Sequence, residues 1–424
     1  MRAERLVSWW GALTALVAVR VAIPLLQLGH ADLPGLPRIP DHVLRGDATG
    51  LYAGAREAIA AWGRLPRPAL AVLALATVAV AVTLVRQFRS HPTRRPWLVL
   101  AGICWLGLLA AANASEQQFS GAGAAGWPLL WSLPMLPLRV IGALDQSSAF
   151  WVGVPIAFTC NAVTLVAIAF AALYATGRRS LGLVAAALYG VWPFLTGLLA
   201  GHGAWENSTW SIDAGLQMYT EPLTTALVAV ALALLLSPQL TKLRLVLAGS
   251  ALGYATTVKP AFWIFAVAGF VLVAWRLRPD VLGLAAFAAG GLAWVPLLAT
   301  FWPIGYSELS RRPGQPQGTL WGFGFVAHNW TSSTLFTPVL LAIVLPFAAL
   351  GIAAVRGSWT RVVLGAWLLL CPALYSVFRY TAIHPRYLFA SLPALFVLCA
   401  AGGDAVARHG LRALPSRRTK PQLS

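Results

Sequence analysis

Asp47, Glu221, Lys259 and Arg386 are the side chains whose types and settings could do chemistry in this chain. A carboxylate held at a water–lipid boundary can accept the proton of a bound hydroxyl as a general base. Asp47 stands in Asp41-His42-Val43-Leu44-Arg45-Gly46-Asp47, which puts a second carboxylate, Asp41, six residues earlier. An Asp ahead of a helix also caps free N–H groups and meets the positive end of the helix. Spacing leaves both roles open at Asp47.

The second carboxylate candidate lies in Met218-Tyr219-Thr220-Glu221-Pro222, just after His202, Glu206 and Asp213. Its local reading is a helix start, with Thr220 as cap, Glu221 in the first turn and Pro222 early in the helix. The cations come later. Lys259, in Thr257-Val258-Lys259-Pro260, either snorkels to lipid headgroups or holds a phosphate. Arg379, Tyr380, His384, Arg386 and Tyr387 crowd into residues 379–387. Guanidinium forks grip phosphate oxygens with directed hydrogen bonds, and Arg and Tyr also form ordinary interfacial belts.

The elements that must position these residues are membrane spans. The 424 residues are 58% hydrophobic and only 10% charged, with a mean hydropathy of +0.72. Apolar runs near the length of a bilayer-crossing helix recur from end to end. Twelve are expected, near 6–28, 69–86, 97–112, 150–175, 180–200, 220–236, 243–258, 261–276, 281–302, 334–355, 361–378 and 387–404. The net charge of +18 does not point to nucleic acid, because the cations sit in short clusters between alternate runs. These are Arg86, Arg89, Arg94 and Arg95; Arg178 and Arg179; Lys242 and Arg244; Arg276 and Arg278; Arg356 and Arg361; and the two termini. The positive-inside rule makes that face cytoplasmic, with both termini inside. Of the 13 acids, only Glu4, Asp280 and Asp404 fall on it. The rest, every candidate carboxylate included, fall on the outer face.

Residues 127–144 are apolar but hold Pro128, Pro134, Pro137 and Arg139. A span there would invert every later basic cluster, so a re-entrant or interfacial stretch packed against protein is expected. After Asp47, Leu51, Ala55, Ile59 and Trp62 recur at helical spacing. They predict a short amphipathic helix on the membrane surface with Arg56 and Glu57 toward water. Arg20, inside the first span, must pair inward or snorkel. Trp205, Trp210 and Trp321 lie in outer loops where a ring could stack on a sugar.

Cys104, Cys160, Cys371 and Cys399 all fall within spans and form no metal spacing, so they read as small core residues. Sequons occur at Asn113, Asn207 and Asn329, and the Ala, Gly, Arg and Leu bias suits a GC-rich bacterium in which they arise by chance. P-loop and HExxH motifs are absent. The first apolar run exceeds a signal h-region and is kept as a span. No linker divides the chain, and residues 1–424 read as one membrane domain.

In this order the pieces resemble the GT-C superfamily of membrane glycosyltransferases, closest to bacterial mannosyltransferases of the phosphatidylinositol-glycan type. They are Gly46-Asp47 with Tyr52; Trp127-Pro128; Tyr219 with Glu221-Pro222; Thr257-Val258-Lys259-Pro260; and Pro385-Arg386-Tyr387 followed by Leu392-Pro393-Ala394. The resemblance implies an all-α polytopic fold of about 12 transmembrane helices. It implies transfer of a sugar from a polyprenyl-phosphate donor to an acceptor hydroxyl at the extracytoplasmic face of the cytoplasmic membrane. Asp47 is the implied base, with Asp41 and Glu221 as further catalytic candidates. Tyr52, Tyr219, Lys259, His384, Arg386, Tyr387, His202 and Asp213 form the expected substrate-binding set. The expected partners are a lipid-linked sugar donor, a glycan, glycolipid or protein acceptor, and membrane lipids. Many members carry a second acid beside the first, where Gly46 and Ala48 flank Asp47 here, and this leaves metal use open. Several have Arg where this chain has Lys259. The competing class is a transporter or flippase. It would show repeated halves and mid-depth polar groups, and neither is evident.

Overall fold

The computed structural model describes residues 2–28, 44, 47–117, 126–200, 218–278, 280–300, 322–331, 338–378 and 385–409. Their regular elements are all helical, as an apolar surround without water requires. In chain order they are α1 (Arg2–Leu28), α2 (Asp47–Arg64), α3 (Arg67–Ser90), α4 (Arg95–Ser115), α5 (Gly126–Val140), α6 (Gln146–Thr176) and α7 (Arg179–Ala200). They continue as α8 (Glu221–Leu236), α9 (Lys242–Val258), α10 (Trp263–Arg276), α11 (Val281–Leu292), the short α12 (Val326–Thr331), α13 (Pro338–Ala354), α14 (Ser358–Ser376) and α15 (Leu392–His409). Each of the twelve expected spans overlaps one of these helices, with ends that differ by several residues. Among the described residues, seven stretches are long and apolar enough to cross a bilayer by themselves, and shorter apolar helices accompany them. The protein is an all-α polytopic membrane protein.

Local chemistry sets the helix limits. Asp145 accepts from the Ser148 N–H at 2.7 Å while Ser148 Oγ accepts from the Asp145 N–H at 3.0 Å, a capping box that opens α6. Donation from the Ser148 N–H, and from the Ser148 hydroxyl at 2.7 Å, holds the exposed Asp145 carboxyl below its usual range. Gly177 ends the same helix at φ 74°, a left-handed position that suits glycine.

The helices share two ends. At one, Trp9 Nε1 donates to Arg179 O at 3.0 Å, Arg178 pairs with Asp404 at 2.9 Å, and Trp359 Nε1 donates to Leu235 O at 3.0 Å. This end gathers the basic clusters. The opposite end collects the starts of α5 and α8 and the ends of α9 and α14. The interior is built from α6, α8, α9 and α15, whereas none of the apolar stretch of α3 is buried. The outward Val72, Leu75, Val78, Val82 and Val85 of α3 suit contact with lipid chains.

Small residues let the central helices approach, because helix association in a bilayer relies on close packing rather than on apolar burial. A methyl group on Gly249 would strike the Phe287 carbonyl of α11, and one on Gly402 would strike the Phe347 carbonyl of α13. Gly249→Val therefore has to push α9 and α11 apart, at a cost of about 1–3 kcal/mol or more. It is expected to lower the melting temperature in detergent clearly. Gly365→Val, where nothing lies within 4 Å, should leave it near wild type.

The stretch around 127–144 forms α5, with Trp127, Trp131 and Met135 fully buried. It packs against α2, α6 and α9. The expected amphipathic helix is α2, which begins at Asp47. Leu51, Tyr52, Ala55 and Ile59 are buried, Arg56 is exposed and Glu57 is half-exposed. Its apolar face is covered by α5 rather than by lipid, with Tyr52 and Trp131 rings 6.2 Å apart. Asn113 Nδ2 donates to Ala58 O at 2.8 Å, which ties α2 to α4.

Two of the three sequon asparagines are fully buried. Asn329 Nδ2 donates to the carbonyls of Tyr375, Ser376 and Phe378 at the end of α14, as Asn113 Nδ2 does to α2. Neither amide is free to accept a glycan. Asn207 lies outside the described residues. Cys160, Cys371 and Cys399 are buried and Cys104 is partly so, all as free thiols.

Candidate functional site

Three sequence-distant stretches meet at the end of the bundle away from the basic clusters. Lys259 follows α9, where the proline after it disfavours helix at its own position. It takes φ −142° and ψ 99°, and its N–H still donates to Ala255 O at 2.8 Å. Its side chain turns toward the start of α8, where Nζ lies 2.9 Å from Glu221 Oε1. Arg386 sits in the 3-10 stretch Pro385–Ser391 that leads into α15 and packs on α8 and α14. Arg386 Nε lies 3.9 Å from the same Glu221 oxygen.

Aromatic rings wall the cluster. Lys259 Nζ stands 4.8 Å from the Tyr387 ring centre and 6.0 Å from that of Tyr375. The Arg386 guanidinium lies 5.3 Å from the Tyr219 ring and 5.1 Å from that of Tyr387, and Nη2 donates to the Tyr387 hydroxyl at 3.3 Å. Tyr375 and Tyr387 stack with centroids 4.6 Å apart. The side chains of Glu221, Lys259 and Arg386 are only 5%, 16% and 15% exposed. Partial removal from water strengthens each charge–charge term and each cation–ring contact.

The geometry keeps the helix start as expected, with Thr220 at the N-cap position, Glu221 in the first turn and Pro222 next, and corrects two details. Thr220 makes no side-chain capping bond and instead donates from Oγ1 to Glu221 Oε2 at 3.3 Å. Lys259 does not reach outward to headgroups but inward to Glu221. The cluster thus joins Tyr219, Glu221, Lys259, Arg386 and Tyr387 of the expected set. Tyr375 was not singled out from the sequence. Its hydroxyl is buried and has no hydrogen-bond partner among the described residues. A Tyr at the end of a span reads as an interfacial anchor, and the ring stack with Tyr387 and the nearness of Lys259 set it apart.

Asp47 is the first residue of α2, and its side chain lies outside the described part of the structure. Asp41, His202, Asp213 and His384 fall outside the described residues, as do Trp205, Trp210 and Trp321. Tyr52 belongs to the α2–α5 contact rather than to the ion cluster. Burial raises its phenol above the ordinary value, with Arg56 opposing and Asp145 adding to the rise. Packing nevertheless links the two regions. Tyr254 of α9 donates to Gly126 O of α5 at 2.8 Å, and a methyl on Gly126 would lie 2.6 Å from Thr257 Oγ1. Trp131 of α5 and Met218 both press on Gly153 of α6, and Met218 directly precedes Tyr219.

Arg20 pairs inward. It is 1% exposed, Nη1 donates to Gly190 O at 3.4 Å, and the guanidinium sits 5.0 Å from the Tyr189 ring and 5.7 Å from that of Phe194. A carbonyl and two ring faces replace part of its lost hydration. Among the described residues no three His, Cys, Asp or Glu side chains gather as a metal site.

Of solved structures, the chain is similar to that of ArnT from Cupriavidus metallidurans bound to undecaprenyl phosphate. The identity is 16%, the match covers 65% of this chain and the TM-score is 0.40. The matched part spans about half, 49%, of that protein's length. No family model and no curated protein matches.

Proposed function

We propose that the protein is a membrane glycosyltransferase of the GT-C type. It moves a sugar from a polyprenyl-phosphate donor to an acceptor hydroxyl at the extracytoplasmic face of the cytoplasmic membrane. The observation that carries this reading is the meeting of Lys259 and Arg386 in an aromatic-walled cluster at the end of the bundle opposite the basic clusters. Under the positive-inside rule that end faces outward, where no nucleotide sugar is available and a donor must arrive on lipid. The polyprenyl tail lies among the apolar spans and its phosphate beside Lys259 and Arg386.

In the transfer, the acceptor oxygen attacks the anomeric carbon from the face opposite the phosphate. The carbon–oxygen bond to the phosphate breaks, its electron pair stays on the phosphate, and the acceptor's proton passes to Asp47. One such displacement inverts the anomeric centre, as in inverting hydrolases where the acceptor is water. The leaving phosphate gains negative charge as the bond breaks, so fixed cations favour the transition state over the ground state. The mannosyl-like preference rests on the resemblance of the sequence motifs.

The test is incubation of purified protein with a panel of polyprenyl-phosphate sugars and candidate acceptors. Release of polyprenyl phosphate with transfer of the sugar is the expected result. Movement of a lipid-linked substrate across vesicles without its cleavage would favour a flippase instead.

A further inference from the structure

Glu221 lies where a bound anion would lie. Its Oε1 is 2.9 Å from Lys259 Nζ and 3.9 Å from Arg386 Nε, and its side chain is only 5% exposed. Thr220 Oγ1 donates to the other oxygen, so the carboxylate is fixed rather than swinging. Any phosphate drawn to these two cations must settle within a few ångströms of a buried negative charge. Glu221 adds one unit of repulsion there. The Tyr375 hydroxyl, buried in the same ring-walled space without a partner among the described residues, is a neutral donor left for such a ligand.

We propose that Glu221 limits the charge the cluster accepts, so that Lys259 and Arg386 hold a phosphodiester monoanion without the strong preference for a phosphomonoester dianion that two uncompensated cations would give. The inference rests on the reading of Lys259 and Arg386 as the donor's phosphate site, and it names the ionic class that site selects. A polyprenyl-phosphate sugar is a phosphodiester with one negative charge. The polyprenyl phosphate left after transfer is a monoester that carries close to two charges above its second pKa near ~6. A fixed carboxylate repels the second state more than the first. Glu221 therefore speeds departure of the spent lipid and limits product inhibition, acting as a positioning and charge-setting residue.

The size of the effect follows from Coulomb's law. One extra charge about 5 Å from a carboxylate, at an effective dielectric near 20, corresponds to roughly a hundredfold in affinity before salt screening. The experiment uses full-length protein in nanodiscs and two lipids of equal chain length, a polyprenyl monophosphate and a polyprenyl methyl phosphate. At pH 8 the wild type is expected to bind the two lipids within about tenfold of each other. Glu221→Gln should shift the ratio toward the monoester by roughly ten- to a hundredfold. In the wild type, lowering the pH from 8 to 5 protonates the monoester and should change its affinity relative to the diester by less than about tenfold; this series decides the matter if Glu221→Gln does not fold.

An unchanged ratio in folded Glu221→Gln, or a wild-type preference for the monoester that grows more than about tenfold from pH 5 to pH 8, overturns the inference. Undiminished binding of both lipids by Lys259→Ala and Arg386→Ala overturns the phosphate-site reading itself, and the inference with it.

Discussion

Asp47→Asn is expected to lower transfer by roughly 10²–10⁴-fold, the usual contribution of a positioned general base, while insertion and helix content stay as in the wild type. Asn suits a helix start about as well as Asp, so the substitution keeps the local role at the head of α2 and removes only the basic oxygen. Asp47→Ala loses both. A stability deficit in Asp47→Ala that is absent from Asp47→Asn would measure capping, and an activity loss common to both would measure the base. Asp41→Asn is the paired control, since Asp41 is the other carboxylate of the same segment. The measurement is single-turnover release of polyprenyl phosphate by purified protein, with circular dichroism as the check on folding. Full activity in Asp47→Asn alongside an inactive Asp41→Asn would move the base; full activity in both would remove the mechanism.

The spans were legible because burial in lipid acts on every residue of a helix at once, and a run of twenty apolar residues has few other outcomes. The same force made α5 readable as a stretch that does not reverse the topology, since the basic clusters after it fix the count. Lateral arrangement was not legible. The closeness of α9 to α11 depends on Gly249 and Gly253 lying under the backbone of Phe287 and Gly291, a matter of shape that hydropathy does not record. The cover on α2 had the same origin: its apolar face would look alike against lipid or against α5.

The ion cluster was half legible. Four polar stretches at one end of a bundle announce a site. The pairing of Glu221 with Lys259, 38 residues apart, depends on how the start of α8 meets the end of α9. The partner of Arg20 was hidden for a related reason, because a carbonyl and two ring faces carry no charge signal in the sequence.

Lys259→Met is expected to destabilise the protein by about 3 kcal/mol, because removing one partner strands a charge that has already lost its water. The figure sits at the lower end for broken buried pairs, since Arg386 remains 3.9 Å from Glu221 and keeps part of the compensation. Glu221→Met removes the carboxylate from between Lys259 and Arg386 and leaves two cations facing each other. The double variant Lys259→Met/Glu221→Met removes both members of the 2.9 Å pair, apolar side chains of similar length refill the space, and only the longer contact of Arg386 with Glu221 is lost besides. Its cost should therefore fall below the sum of the singles by at least ~1 kcal/mol, a coupling of the size found for contacting residues. Equilibrium unfolding in mixed micelles across the four proteins reads this difference directly. Strict additivity would mean that the 2.9 Å contact carries no energy of its own. Coupling in stability, with transfer lost in every variant that lacks Lys259, would separate the lysine's contact with Glu221 from its proposed contact with the donor phosphate.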